Sequence, residues 1–327
     1  MNITHKKILI TGGAGFIGSN LCEYFLSHEN KVICLDNFAT GHHHNIKPFL
    51  TNPNFKLIEG DIRNLETCRN AVEGVDFVLH QAALGSVPRS LIDPLTTNEV
   101  NVSGFLNMLI ASSDAQVKRF IYAASSSTYG DSVELPKVED FIGKPLSPYA
   151  ITKYVNELYA SIFNSAYGLE TIGLRYFNVF GKNQDPNGAY AAVIPKFVMQ
   201  FINHESPVIN GDGMFSRDFT YINNVVQMNE KALLTTNPEA INTIYNTAFG
   251  DRTTLLDLIN YIKEFLTKFD PAIANVEVLH GPNRAGDISH SWASIDKAKK
   301  LLEYNPKYSL QEGLSEAISW YWENLKK

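Results

Sequence analysis

The chain has 327 residues, 44% of them hydrophobic, with a formal net charge of −6. That length suits two domains or one large domain with a smaller lobe, and the apolar content excludes a disordered chain. The acidic balance argues against nucleic acid as main partner, and no apolar run reaches the roughly 18 residues of a membrane span.

The N-terminal apolar run turns at once into a glycine motif, with no small-residue cleavage site of the signal-peptide kind. Cys22, Cys34 and Cys68 are odd in number and form no CxxC pair, which predicts free thiols in a reducing cytoplasm.

In chain order, Lys7–Thr11 reads as a first apolar strand and Phe16–His28 as a helix. Further strands are expected at Lys31–Leu35, Phe55–Glu59, Asp76–Leu79, Arg119–Ala124 and Leu169–Leu174. Helical periodicity marks Pro94–Ser112 and Tyr149–Tyr167. Strand followed by helix, repeated, predicts a parallel sheet with helices on both faces, and uninterrupted apolar strands fit burial on both sides. After about residue 180 the pattern becomes irregular, with helices expected near Val193–Phe201, Thr254–Lys268 and Leu310–Leu325. We therefore expect two units, residues 1–180 and 181–327, with the chain crossing between them. A ligand cleft belongs at the carboxyl ends of the strands, between sheet and lobe.

The first strand runs into T-G-G-A-G-F-I-G at 11–18. Gly12 permits a tight turn, Gly15 lets the backbone approach a pyrophosphate, and Gly18 lets helix and strand pack closely. The free amides and the helix dipole favour negative charge there. Asp36 closes the second strand. A carboxylate at that place accepts hydrogen bonds from both hydroxyls of an adenosine ribose and repels a 2′-phosphate, so NAD is expected over NADP. Asp61 and Ile62, after the third strand, fall where an adenine would lie.

Two further segments carry chemistry: A-A-S-S-S-T-Y-G at 123–130 and S-P-Y-A-I-T-K at 147–153. Tyr149 and Lys153, four apart, share a helix face. A phenol titrates near 10, too high for a base at neutral pH. An adjacent ammonium and the positive charge of an oxidised nicotinamide would lower it. With a serine hydroxyl on the same substrate oxygen, this group can take an alcohol proton while a hydride leaves.

These motifs, together with H-Q-A-A at 80–83, N-V-S-G at 101–104, R-Y-F-N at 175–178, R-D-F at 217–219 and R-A-G-D at 284–287, resemble the extended short-chain dehydrogenase/reductases, specifically the nucleotide-sugar 4-epimerases, over nearly the full length. The resemblance implies an α/β fold: a doubly wound Rossmann-type parallel sheet with a smaller mixed α/β C-terminal substrate lobe. It implies Tyr149 as base, Lys153 as the residue that orients the ribose, and Ser125 as their partner. It adds Phe16, Ile17, Asn37, Gln81, Ala82, Asn101 and Phe177 to the cofactor contacts, Asn101 near the pyrophosphate and Phe177 beside the nicotinamide. It places Asn178, Arg217 and Arg284 on the diphosphate of a UDP-sugar, Ala192 and Val193 near the uracil, Asp287 beside the substrate, and Ser127 and Ser86 facing the sugar.

Related 4,6-dehydratases and decarboxylases carry acids in the strand-end segment where this chain has Ser126 and Ser127, so removal and return of a hydride is the better reading. By the same resemblance, Ser291 takes the place that lies beside the sugar's 2-substituent in the family. A tyrosine there fills the space an N-acetyl group needs, whereas serine leaves it open. The resemblance thus favours interconversion of UDP-N-acetylglucosamine and UDP-N-acetylgalactosamine. UDP-glucose or UDP-glucuronate epimerisation and a non-catalytic NAD-binding protein are the alternatives. Family dimers pair helices corresponding to Pro94–Ser112 and Tyr149–Tyr167, so the resemblance implies a homodimer, whereas by sequence alone the same apolar faces fit the core equally well. His42-His43-His44 reads as a solvated loop without partners at metal-ligand spacing.

Overall fold

The computed structural model describes residues 3–187, 192–282 and 289–325. Seven strands form one parallel sheet: β1 (Lys7–Thr11), β2 (Lys31–Asp36), β3 (Phe55–Glu59), β4 (Phe77–His80), β5 (Arg119–Ser125), β6 (Glu170–Tyr176) and β7 (Thr243–Thr247). Their spatial order is β7-β6-β5-β4-β1-β2-β3. The order reverses at β1, which pairs with β2 through Thr11 opposite Leu35 and with β4 through Thr11 opposite His80. That reversal opens a crevice above the carboxyl ends of β1 and β4.

Side-chain alternation assigns the two faces. Ile8 and Ile10 belong to one core and Leu9 to the core on the opposite face, all fully buried. Each such side chain contributes roughly 1.5–3 kcal/mol by leaving water. A third core fills the C-terminal lobe around Phe197, Phe201, Leu258 and Leu314.

Six strands lie where the sequence places them, within one or two residues. The seventh, β7, comes from beyond residue 180 and pairs along β6 from Thr243 opposite Ile172 to Thr247 opposite Tyr176. Its sequence, T-I-Y-N-T, lacks the apolar run of a central strand.

Helix α1 (Phe16–Ser27) follows the glycine turn, and α2 (Leu65–Ala71) starts on the Asn64 side chain, which accepts from Thr67 N. The single helix expected at Pro94–Ser112 is instead a broken series. It comprises α3 (Val87–Ile92), α4 (Pro94–Asn98), a wide turn at Glu99–Gly104 with π-helical bonding, and α5 (Phe105–Asp114). Helix α6 (Pro148–Tyr167) is long and well bounded: Ser147 caps it by accepting from Ala150 N, Pro148 occupies the first turn, and Gly168 ends it at φ 73°. In the lobe, α7 (Val193–Ile202), α8 (Ile222–Leu234), α9 (Leu255–Thr267), α10 (Asp296–Leu302) and α11 (Leu310–Leu325) follow. Three two-residue strands stand side by side there: Ser216–Arg217 between Thr253–Thr254 and His290–Ser291.

Candidate active site

A cleft of 460 Å³ runs over the carboxyl ends of the sheet. Gly12, at φ +67°, turns the chain out of β1, and a Cβ there would stand 2.8 Å from Ala82 N. At Gly18 a Cβ would meet Gly12 O at 2.1 Å, so only glycine lets α1 start this close to β1. Gly15, Phe16 and Ile17 line the cleft at the N-terminus of α1, where the first amides of a helix have no partner within it.

Asp36 is buried at the end of β2. Its Oδ2 accepts from Ala14 N at 2.9 Å and its Oδ1 from Phe38 N at 2.8 Å, so it braces the glycine turn as well as lining the cleft. Asn37 donates to Asp61 Oδ2 at 2.9 Å, and Arg63 bonds the same carboxylate at 2.7 Å. Hydrogen bonding from Arg63 is the main cause that holds the Asp61 carboxyl down to about 2. Ile62, buried, lies beside it along the cleft wall.

The floor is formed by Gln81 and Ala82. Ala82 N donates to Thr11 Oγ1 at 3.2 Å, and Thr11 also meets His80 Nδ1 at 2.9 Å. Gln81 Oε1 accepts from the Tyr176 hydroxyl at 3.1 Å, while its buried Nε2 has no partner among the described residues. A buried donor left open on a glycine-lined wall fits a polar ligand along this cleft.

Three expected contacts are placed differently. Asn101 is buried behind the wall. Its Oδ1 accepts from Leu84 N at 2.8 Å and its Nδ2 donates to Leu84 O at 3.1 Å, so it fixes the 82–85 loop instead of facing the cleft. Phe177 is fully buried against Tyr129, with 5.9 Å between ring centroids; strand alternation gives the cleft to Tyr176 and Asn178 instead. Ser86, at φ +93°, caps α3 by accepting from Arg89 N at 3.2 Å, and Gly85 takes the place on the wall.

Ser125, Tyr149 and Lys153 meet at the inner end of the cleft. Ser125 ends β5, and its Oγ accepts from Ser127 Oγ at 2.9 Å. Lys153 Nζ donates to Ala123 O at 2.8 Å and stands 6.0 Å from the centroid of the Tyr149 ring. Burial raises the Tyr149 phenol, and hydrogen bonding with Ser125 opposes it. The expected lowering by Lys153 is not among the causes acting on the phenol. Burial pushes Lys153 down to about 8, with Glu157 opposing that fall.

A second cleft, 390 Å³, opens into the lobe and shares Asn178 and Val179 with the first. Ala192, Val193 and Arg217 line it. Asn178, at φ +33°, donates to Asp218 O at 2.9 Å. Arg217 donates to Ser216 O at 2.9 Å and Ser289 O at 3.2 Å, and it stands in register with Ser291. Ser291 is half-buried. Arg284 and Asp287 lie outside the described residues.

The sequence assigns no role to further groups that organise the site. Asp218 is fully buried and accepts from Phe249 N at 3.0 Å, Gly250 N at 3.1 Å and Ala293 N at 3.4 Å, tying three lobe segments together; burial raises its carboxyl to about 7. Its place in R-D-F beside Arg217 is the signal that could have found it. The guanidinium of Arg252, whose role the sequence leaves open, stands 5.8 Å from the Trp292 ring centroid. In the histidine run, a short helix covers His43–Ile46 and His42 Nε2 pairs with Asp185 at 3.3 Å. Among the described residues no cluster of three or more His, Cys, Asp or Glu can hold a metal ion, and no helix is long and apolar enough to cross a membrane.

Comparison with known proteins agrees with this geometry. The model of the NAD dependent epimerase/dehydratase family matches residues 8–248. A putative UDP-glucose 4-epimerase of Methanocaldococcus jannaschii is 34% identical over 96% of this chain and 97% of its own. A UDP-glucuronate 4-epimerase of Thermodesulfobacterium geofontis is 34% identical over 97% of each. The solved UDP-N-acetylglucosamine 4-epimerase of Methanobrevibacter ruminantium, in complex with UDP-N-acetylmuramic acid, superposes with a TM-score of 0.90 at 36% identity, covering 98% of this chain and 99% of that one. With its doubly wound sheet, its glycine turn and its paired tyrosine and lysine, the chain belongs to the NAD dependent epimerase/dehydratase family, as an NAD-using isomerase of the nucleotide-sugar epimerase type.

Proposed function

We propose that the protein interconverts UDP-N-acetylglucosamine and UDP-N-acetylgalactosamine at carbon 4. The observation that carries the reading is a pair of adjoining clefts. Ser125, Tyr149 and Lys153 line the first, Asn178 and Val179 line both, and Arg217, the strand-register partner of the small Ser291, lines the second. The relative in the Methanobrevibacter structure, named for an N-acetylated sugar, supports the same substrate class.

In this reading NAD lies along the first cleft. The amides at the start of α1 take its pyrophosphate, Asp36 its adenosine ribose, and Asn37, Asp61 and Ile62 flank the adenine. Bound NAD+ supplies the hydride acceptor and, once reduced, its donor. Tyr149 takes the proton of the 4-hydroxyl and later returns it, Ser125 holds the same oxygen, and Lys153 orients the nicotinamide ribose. Arg217, Arg284 and Asn178 grip the diphosphate, with Ala192 and Val193 near the uracil. The anchored diphosphate lets a 4-keto sugar turn over and present its other face. Ser127 faces the sugar, and Ser291 leaves space for the N-acetyl group.

In this reading the cofactor sits on residues 1–180, with β7 completing their sheet, and the UDP-sugar lies between that unit and the lobe 181–327. The exposed apolar side chains of Leu91, Ile92 and Leu95 on α3 and α4, with Ile151, Leu158 and Ile162 on α6, fit a homodimer face. Three buried free cysteines fit a cytoplasmic setting. The deciding experiment assays purified protein with UDP-N-acetylglucosamine, UDP-glucose and UDP-glucuronate. Turnover of the plain sugar or the uronate alone would overturn the substrate assignment.

A further inference from the structure

Lys153 is an ammonium buried in the wall of the cleft, and among the described residues its hydrogen bond goes to a carbonyl, Ala123 O. The groups that face it are Tyr149 and Glu157 from α6, His80 from β4 and Ser125 from β5. His80 is held neutral, its imidazole pushed down to about 3 by burial, so it adds no charge beside the ammonium. Glu157 is the carboxylate one helical turn beyond Lys153, as buried as the lysine itself.

Glu157 is itself held. Arg175, near the end of β6, donates from Nε to Oε1 and from NH2 to Oε2, each at 2.8 Å, and both side chains are almost wholly buried. Arg175 also donates to Glu139 O at 2.9 Å and lies 4.8 Å from the Tyr129 ring centroid. Around Glu157, Tyr122 from β5 and Glu139, Asp140 and Lys297 line a small cavity of 170 Å³. A buried ion pair is weak evidence for stability, because desolvation cancels most of its attraction. Its place, between the catalytic helix and the strand that carries Tyr176, asks for another use.

We infer that Glu157, braced by Arg175, is a positioning residue for Lys153. It supplies the counter-charge that keeps the ammonium ionised inside the wall. The Arg175 fork holds the carboxylate in place, and Nζ bonds Ala123 O on β5 while Lys153 lines the cleft. The inference rests on the proposed cofactor role of Lys153.

The test follows NADH binding by its fluorescence across pH 6–10, which needs no sugar, alongside the pH profile of epimerase turnover. Wild-type binding weakens as Lys153 loses its proton. In Glu157→Gln the midpoint falls by about one pH unit, a tenfold change in proton affinity, while Glu157→Asp, which keeps the charge, stays near wild type. Should Glu157→Gln fold poorly by circular dichroism, the double variant Glu157→Gln with Arg175→Met removes both charges and carries an acid-ward shift smaller than one unit, because loss of the Arg175 cation offsets part of the loss of the carboxylate. A folded variant with weakened binding but an unmoved midpoint would leave only a structural role and overturn the inference. In Lys153→Met the pH dependence disappears; if it persists, Lys153 does not touch the cofactor, and that reading fails first.

Discussion

Lys153 stands one helical turn beyond Tyr149, its Nζ 6.0 Å from the phenol ring centroid and bonded to the carbonyl of Ala123 on β5. The helix brings the two side chains to one face, and β5 decides where the ammonium points. Burial raises the phenol and lowers the ammonium, so the protein alone disfavours the charged form of both groups. In the proposed mechanism the positive charge of oxidised NAD would lower the phenol when it binds.

Tyr149→Phe should keep UDP-sugar affinity and lose turnover by about 10²–10⁴-fold, the usual span for a positioned acid–base group. Isothermal titration and a coupled epimerase assay read the two separately. Near-normal turnover would remove Tyr149 from the reaction.

Gly12→Ala should abolish NAD retention and lower the melting temperature. The residue sits at φ +67°, where a side chain costs roughly 1–2 kcal/mol, and its Cβ would stand 2.8 Å from Ala82 N. Cofactor content by absorbance after gel filtration checks it. A variant purified with a full complement of NAD would contradict the reading of this turn.

Ser291→Tyr should stop turnover of N-acetylated sugars and spare UDP-glucose, because added volume in a tight pocket costs on the order of 1–3 kcal/mol or more. Parallel assays on both substrates decide it; loss of both, or of neither, counts against a steric gate.

Asp218 should make stability depend on pH in an unusual direction. Its carboxyl titrates at about 7 in the fold, above the ordinary 3.8, so the folded state holds the proton more tightly than the unfolded chain. The cost of ionising it is absent below about pH 4, grows as pH rises through that window, and is complete above pH 7. Asp218→Asn is less stable than wild type at pH 5, since an amide NH2 cannot accept from the backbone donors that the hydroxyl oxygen of the protonated carboxyl still serves. The gap should narrow by pH 8. Denaturant titrations at both pH values measure it, and a gap that widens would reverse the sign.

Leu158→Glu with Ile162→Lys should shift the protein toward monomer in sedimentation velocity, because both side chains are exposed on α6, at 51% and 57%. An unchanged sedimentation coefficient would place any self-association elsewhere.

Much of this protein is settled by local chemistry. Three glycines with an acid after the next strand, apolar strands separated by helices, and a tyrosine and lysine four apart each depend on backbone freedom or on one helical turn. Such constraints act within a few residues, so the string of residues displays them. What spans the chain is different. The strand β7 is polar enough to read as a loop, and only pairing with β6 makes it part of the sheet. Phe177 and Tyr176 trade places because one residue of register turns a side chain from cleft to core. Asn101 acts on the 82–85 loop through partners 17 residues away. Arg175 reaches Glu157 across 18 residues and Asp218 gathers amides from as far as 75 residues away, contacts that exist only once the chain has closed on itself.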